Sequence, residues 1–270
     1  MHPGSLIPVI LFLFLLAAPP ATGETRVIVT VTEQRSGQPI TDVKPEDFVV
    51  TDDKTPRRVE SAEFKSEPID VMMLLDTSLV GGAVQPVASG MISQLGPKEQ
   101  MAVVSFHSSA DLIQEFTSSR ELLMRAIQGV KYGNSPRLLD ALYATIDGGF
   151  ENSSFRRVIL LLTTGFDGPS RVGFKEVIRL ARRNQVSIFP VYVTGYGRSL
   201  LEDLAKQTGG ASFNLRDMQR SSKEPPGPRI FPVLRNRYVV TLSGNLPPSD
   251  KLKIEVKRPE KLFISAMVLE

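Results

Sequence analysis

Two short polar clusters hold the side chains most capable of chemistry. Asp76-Thr77-Ser78 follows an uninterrupted apolar run at 71–75, and Thr163-Thr164-Gly165-Phe166-Asp167 follows another at 158–162. Carboxylate and hydroxyl oxygens gathered in this way suit a hard cation such as Mg²⁺ or Mn²⁺. They also suit a plainer task, capping the backbone N–H groups of a loop where a strand ends. A third chemistry is nucleophilic. His107 follows the strand-like run 102–106, and Ser78 with His107 and either Asp76 or Asp111 has the composition of a hydrolase triad. Ser78 lacks the Gly-x-Ser-x-Gly elbow that exposes such a nucleophile. No Gly-x-Gly-x-x-Gly or Gly-x-x-x-x-Gly-Lys follows the first run, which argues against a nucleotide.

The elements that must position these clusters read as an alternation. Runs at 71–75, 102–106, 158–162 and 186–193 are strand-like; the first and third are apolar throughout and the others nearly so (Ser105, Ser187 and Pro190 apart), as in a sheet covered on both faces. Between and after them, apolar residues recur at helical spacing: Val84, Val87, Ala88, Met91; Leu123, Ala126, Ile127, Val130; Leu139, Leu142, Tyr143, Ile146; and Phe174, Val177, Ile178, Ala181. Ser199 and Glu202 have capping-box spacing, and Gly209-Gly210 closes that helix. The fold class expected is α/β, a doubly wound, mostly parallel sheet with helices on both faces. Pro190 predicts a bulge or a shifted boundary in the last strand. Asp140 reads as a carboxylate at a helix start, favoured there by the helix dipole.

Flanking this centre are β-like segments. Residues 27–32, 48–51 and 59–64 precede it; 238–242, 251–257 and 262–268 follow it. Neither set has enough strands for a core of its own, so the two are expected to pair into one small β-sandwich. Asp52 to Pro56 and Asn245 to Ser249 read as turns, and Gly81-Gly82 as a flexible lead into a helix. The organisation expected is a signal peptide at 1–23, an N-terminal β segment at 24–66, the α/β domain at 67–218, a Pro-rich linker at 219–229 and a C-terminal β segment at 230–270.

Composition narrows the function classes. The chain has 270 residues, 41% of them hydrophobic, which permits a sizeable core. Residues 6–18 form an apolar stretch shorter than a membrane span, and Ala21 and Gly23 supply small residues for cleavage. The reading is export to the periplasm, cell surface or medium, with membrane attachment only through an uncleaved signal. The absence of cysteine removes disulfides, thiol catalysis and Cys-based zinc sites. The net charge of +3 is scattered as arginine pairs without interleaved aromatics, so nucleic acid is not an expected partner.

The order of these motifs resembles the von Willebrand factor A-type family. The resemblance rests on Asp76-Thr77-Ser78-Leu79-Val80, on Leu138-Leu139-Asp140-Ala141-Leu142-Tyr143 and on Leu162 to Asp167. The flanks, with Pro45-Glu46-Asp47-Phe48-Val49-Val50 and Tyr238-Val239-Val240, resemble a bacterial exported subfamily described as VWFA-related. The resemblance implies a metal-ion-dependent adhesion site of five protein ligands. Asp76 and Ser78 match the first two; Val80 stands at the second Ser, Pro136 (with Ser135 beside it) at the Thr, and Thr164 at the last Asp. The site is therefore read as degenerate, with Asp76, Ser78 and Thr164 as its remnants and no required cofactor. The implied function is non-enzymatic binding or adhesion to other extracytoplasmic proteins, through loops that include Ser78, Ser135 and Asp167. Metal-dependent adhesion through a partly substituted Mg²⁺ or Mn²⁺ site is the first alternative, and a Ser78–His107 hydrolase the second. Phe150, Phe155 and Phe166 suit either an apolar rim near the same loops or packing in the core.

Overall fold

The computed structural model describes residues 23–79, 81–193, 195–244 and 251–269. The signal segment, Val80 and the 245–249 turn lie outside them. Among the described residues, no helix is long and apolar enough to cross a membrane.

A six-stranded sheet forms the centre. Its strands are β5 (Ile69–Asp76), β6 (Gln100–Phe106), β7 (Ala110–Thr117), β8 (Arg156–Thr163), β9 (Ser187–Tyr192) and β10 (Phe213–Asn214). The spatial order is β10-β9-β8-β5-β6-β7, parallel except for the β6–β7 pair. The chain starts in the middle, builds outward to β7, then returns to the other side of β5. The order therefore reverses beside β5, and crevices at such reversals are where open α/β sheets bind ligands.

Side-chain alternation explains the two-faced burial. Val71, Met73, Leu75, Leu160 and Leu162 face one layer, with residues of α1 (Gln85–Ile92), α2 (Arg120–Gln128) and α7 (Pro226–Arg235). Met72, Leu74, Ile159 and Leu161 face the other, with α3 (Leu138–Gly148), α4 (Phe174–Arg183) and part of α5 (Arg198–Gln207). A strand buried on both sides must be apolar at every position, as β5 and β8 nearly are.

The flanks assemble around this unit. β1 (Glu24–Glu33) pairs antiparallel with β11 (Asn236–Ser243) and β13 (Leu262–Leu269), and β11 also pairs with β4 (Val59–Ser66). A second sheet joins β2 (Phe48–Asp52), β3 (Thr55–Arg57) and β12 (Leu252–Val256). Val27, Val29, Val31, Phe48, Val50, Tyr238, Val240 and Leu242 fill the space between the two sheets. The opposite face of the larger sheet docks on the α/β unit. Thr30 Oγ1 donates to the Gly209 carbonyl at 2.8 Å, Ser265 Oγ donates to that of Gly210, and Phe263 enters the α/β core.

Several expectations are corrected. Residues 219–229 are not a linker: 219–221 complete α6 (Leu215–Ser221), and Pro226 and Pro228 open α7. Proline lacks an N–H that the first helical turn does not use, so proline richness there is compatible with a helix start. Ile230, Phe231, Val233 and Leu234 are fully buried in the α/β core, so the C-terminal β segment starts at β11. Ser199 does not cap α5; the cap is Gly197 at φ 67°, with Ser199 inside the helix and Glu202 paired to Arg198 at 2.8 Å. Pro190 lies in β9 without a bulge, opposite Leu161. The outer neighbour β10 pairs only at Val191 and Tyr192, so Pro190 sits where that side is edge-like. Asp53 and Lys54 have positive φ (48° and 68°), the mirror-type turn that fits a tight hairpin.

Candidate functional site

The carboxyl ends of β5 and β8 place Asp76 beside Thr163 and Thr164. Asp76 is fully buried, and its carboxylate is heavily used. Oδ1 accepts from Ser78 N–H at 2.9 Å. Oδ2 accepts from Thr163 Oγ1 at 3.1 Å, Thr164 N–H at 3.0 Å and Thr164 Oγ1 at 2.9 Å. One carboxylate thus ties two strand exits together. Ser78 is also buried, and its Oγ has no hydrogen-bond partner.

The neighbouring loops are joined by backbone hydrogen bonds. Thr77 N–H donates to the Phe106 carbonyl at 2.8 Å, Gly133 N–H to that of Thr77 at 3.0 Å, Arg137 N–H to that of His107 at 2.7 Å and Gly168 N–H to that of Pro136 at 2.6 Å. Two glycines are sterically required. A Cβ on Gly81 would stand 2.2 Å from the Asp76 carbonyl oxygen, and one on Gly168 2.5 Å from that of Pro136. Gly81 is therefore a point of close approach rather than a flexible lead.

The other predicted residues are held apart from Asp76. Asp167 Oδ1 accepts from Leu138 N–H and from Ser170 Oγ, both at 2.9 Å, which turns it toward the start of α3. Burial raises the Asp167 pKa, with these donors opposing and Asp140 reinforcing the shift. Asp140 Oδ1 takes Arg171 and Val172 N–H at 2.7 and 2.9 Å, anchoring the segment before α4. Ser135 is exposed. His107 Nδ1 is engaged by Ser108, with Oγ at 2.9 Å and N–H at 2.6 Å, and Asp111 holds Ser109 Oγ at 3.0 Å. No Ser78–His107 hydrogen bond forms, so the nucleophile and base of the hydrolase alternative are not assembled.

The donor set does not fit a tight Mg²⁺ site. Such an ion needs near-octahedral oxygen coordination with charge compensation. Here the one carboxylate already accepts four hydrogen bonds, and Asp167 is committed to α3. Among the described residues, no group of three or more Asp, Glu, His or Cys side chains could hold a metal ion.

The phenylalanine rim is also redrawn. Phe150 is buried against Phe116, with ring centroids 6.0 Å apart, and Phe155 precedes β8 at the opposite edge of the sheet. Phe166 remains, 53% exposed, and Leu79, Tyr132 and Tyr196 join it at 80%, 40% and 72%. Each belongs to a loop at the carboxyl edge. Tyr132 lies next to Gly133, which bonds Thr77, and its pKa is raised by burial and by the Asp76 charge. Tyr196 adjoins Gly197, which packs against the Gly165 carbonyl. Isolated large apolar residues between turn signals were the available sequence clue.

Known proteins give a consistent picture. Residues 70–224 match the model of the von Willebrand factor type A domain. Among solved structures, proximal thread matrix protein 1 from the mussel byssus is 19% identical with a TM-score of 0.54, over 74% of this chain and 51% of that one. The same mussel protein with a zinc-occupied MIDAS motif is 17% identical with a TM-score of 0.53, over 71% of this chain and 50% of that one. BatB of Bacteroides thetaiotaomicron is 13% identical with a TM-score of 0.46, over 62% of this chain and 98% of that one. The chain thus spans about half the length of the mussel protein, and at these identities the likeness is one of fold. No protein of curated function matches the sequence. The family match takes in more than half of the sequence and both strand exits of the site, and the chain belongs to the von Willebrand factor type A domain family.

Proposed function

We propose that this chain is an exported, non-enzymatic interaction module of the VWFA-related kind, which recognises another extracytoplasmic protein through its carboxyl-edge loops. The observation that carries the reading is the apolar rim: Leu79, Tyr132, Phe166 and Tyr196 stand exposed on one end of the sheet, around a platform joined by hydrogen bonds. Large apolar side chains exposed together at one end of a domain mark a candidate contact surface. Aromatic side chains are also the usual anchors of such contacts. Replacing all four with serine is expected to abolish photocrosslinking of an extracytoplasmic protein at a probe placed at Ser135, while leaving the melting temperature within a few degrees. Unchanged crosslinking would move the interaction surface elsewhere, the sandwich being the next place to look.

One observation favours a second reading. Ser78 Oγ is buried, unpartnered and next to Asp76, as an oxygen awaiting a cation would be. In that reading Asp76, Ser78 and Thr164 hold Mg²⁺ or Mn²⁺, and a partner carboxylate completes the shell; the mussel protein has been solved with its MIDAS motif occupied by zinc. Melting curves with millimolar Mg²⁺ or Mn²⁺ and then with chelator separate the two readings. A ligand at a hundred times its dissociation constant stabilises by about 2.7 kcal/mol. The interaction-module reading expects no shift; a shift lost in Asp76→Ala would make the metal-dependent one correct.

A further inference from the structure

The edge of the sheet opposite the apolar rim carries an unbalanced cluster of arginines. Glu67-Pro68 precedes β5, Ser154 to Arg157 lead into β8, and Arg183 to Gln185 precede β9. With Arg237 and Leu269 they line a cleft of about 710 Å³. Among the described lining residues, four guanidiniums and one carboxylate sum to +3. The guanidinium of Arg156 is buried, and none of its three nitrogens has a hydrogen-bond partner. The two carboxylates that act on it are both committed elsewhere. Glu67 pairs with Arg237 at 2.8 Å, and Glu99 grips Arg235 at 2.6 and 2.8 Å. Burial first, and then the Arg237 charge, lower the Arg156 pKa to about 9. Among the described residues, Arg157 reaches the Asn184 carbonyl at 3.3 Å and forms no ion pair. Arg183 is exposed, with no ion pair among the described residues. The cleft also presents Gln185 Oε1, a buried acceptor without a donor.

A charge left unpaired in the interior is costly, and folding alone gives no reason to keep one. Guanidiniums match phosphate oxygens in geometry and charge, and a cluster of them favours a multiply charged anion over a single carboxylate. Gln185 Oε1 asks for a hydroxyl donor beside that anion. We propose that the cleft of Arg156, Arg157, Arg183 and Arg237 binds a phosphate-bearing ligand with a neighbouring hydroxyl, either a soluble phosphate ester or a phospholipid headgroup. A phosphate held by the outer guanidiniums compensates the Arg156 charge through the weakly screening interior, without displacing that side chain from its packing. The cleft and the apolar rim lie at opposite ends of the strands, so both can be occupied together.

The test uses the full chain and two probes, glycerol 3-phosphate and phosphatidylglycerol vesicles. Melting is followed with glycerol 3-phosphate or inorganic phosphate against chloride at equal ionic strength, and flotation with phosphatidylglycerol against phosphatidylcholine vesicles. A rise of a few degrees with glycerol 3-phosphate, without flotation, assigns a soluble ester. Flotation on phosphatidylglycerol alone, competed by inorganic phosphate, assigns a headgroup. Arg157→Gln with Arg183→Gln is expected to weaken either response about tenfold or more. Arg156→Met is expected to keep or raise the melting temperature without ligand, because it removes an unpaired buried charge, and to lose most of the phosphate response. Should Arg156→Met fail to fold, the double variant still decides the matter. Equal melting in phosphate and chloride with no flotation, or responses that survive the double variant, overturn the proposal.

Discussion

At the scale of single residues, Asp76 is a structural clasp. Removing it deprives Ser78 N–H, Thr163 Oγ1 and both Thr164 donors of that acceptor in a buried place, and orphans those with no second partner. Each such orphan costs about 1–3 kcal/mol. Asp76→Ala is therefore expected to destabilise by about 3 kcal/mol or more in urea unfolding, by the same amount with Mg²⁺ or with chelator. A loss seen only with Mg²⁺ would instead mark a metal ligand. Gly81→Ala tests the close approach from the other side. Its Cβ would meet the Asp76 carbonyl oxygen at 2.2 Å, so a loss of about 2 kcal/mol or more is expected, with Gly82→Ala nearly silent because nothing lies within 4 Å of its Cβ. Equal effects at the two glycines would contradict the geometry. In the sequence these positions look alike, since adjacent glycines carry no mark of which one faces a backbone.

Among the elements, α7 shows most clearly how a helix can be missed. Its apolar residues at 230, 231, 233 and 234 form one helical face, but four prolines between 225 and 232 suggest a linker by composition. Tertiary burial decides otherwise. The helix is fastened by Arg235, whose guanidinium binds Glu99 and the Gln94 carbonyl. Burial alone would raise the Glu99 pKa. The Arg235 hydrogen bonds and charge, with the Gly96 N–H, outweigh it, and the net shift is downward. A carboxylate with a depressed folded pKa stabilises the fold above its unfolded value, near 4.5, and loses that stabilisation as pH falls through the folded value. Glu99→Gln should cost about 2 kcal/mol at pH 7, less than a fully buried pair because Arg235 is partly exposed. It should also flatten the decline in stability below pH 4.5. A variant whose acid profile parallels the wild type would show that other carboxylates set it. β7 was missed for a different reason: its residues are largely exposed and show no alternation.

For the whole molecule, the α/β unit is inserted between the strands of a sandwich that the flanks build together. β1 lies between β11 and β13, separated from both by the entire central domain. The family match ends at residue 224, before α7, although Ile230, Phe231, Val233 and Leu234 belong to the α/β core. A fragment of residues 67–224 is thus expected to unfold without cooperativity and to bind a hydrophobic dye. One of residues 67–236 should restore a sharp transition. If the shorter fragment melts as sharply as the longer, α7 is dispensable to the core.

By itself, the sequence determined the elements whose signal is local. Doubly apolar strands, helical spacing and the stop at Asp76-Thr77-Ser78 announced a parallel sheet with polar residues at its carboxyl edge, because burial on both faces leaves no polar position inside such a strand. The replaced ligand positions at Pro136 and Thr164 were legible as residue types. What those types do was decided only by the tertiary structure. It directs four donors onto Asp76, turns Asp167 toward α3 and brings Leu79, Tyr132, Phe166 and Tyr196 to one end. It also leaves Arg156 without a partner at the other. These outcomes depend on which distant backbone or side chain meets each polar group, and residues as far apart as Glu67 and Arg237 become neighbours only once the sheet has closed around them.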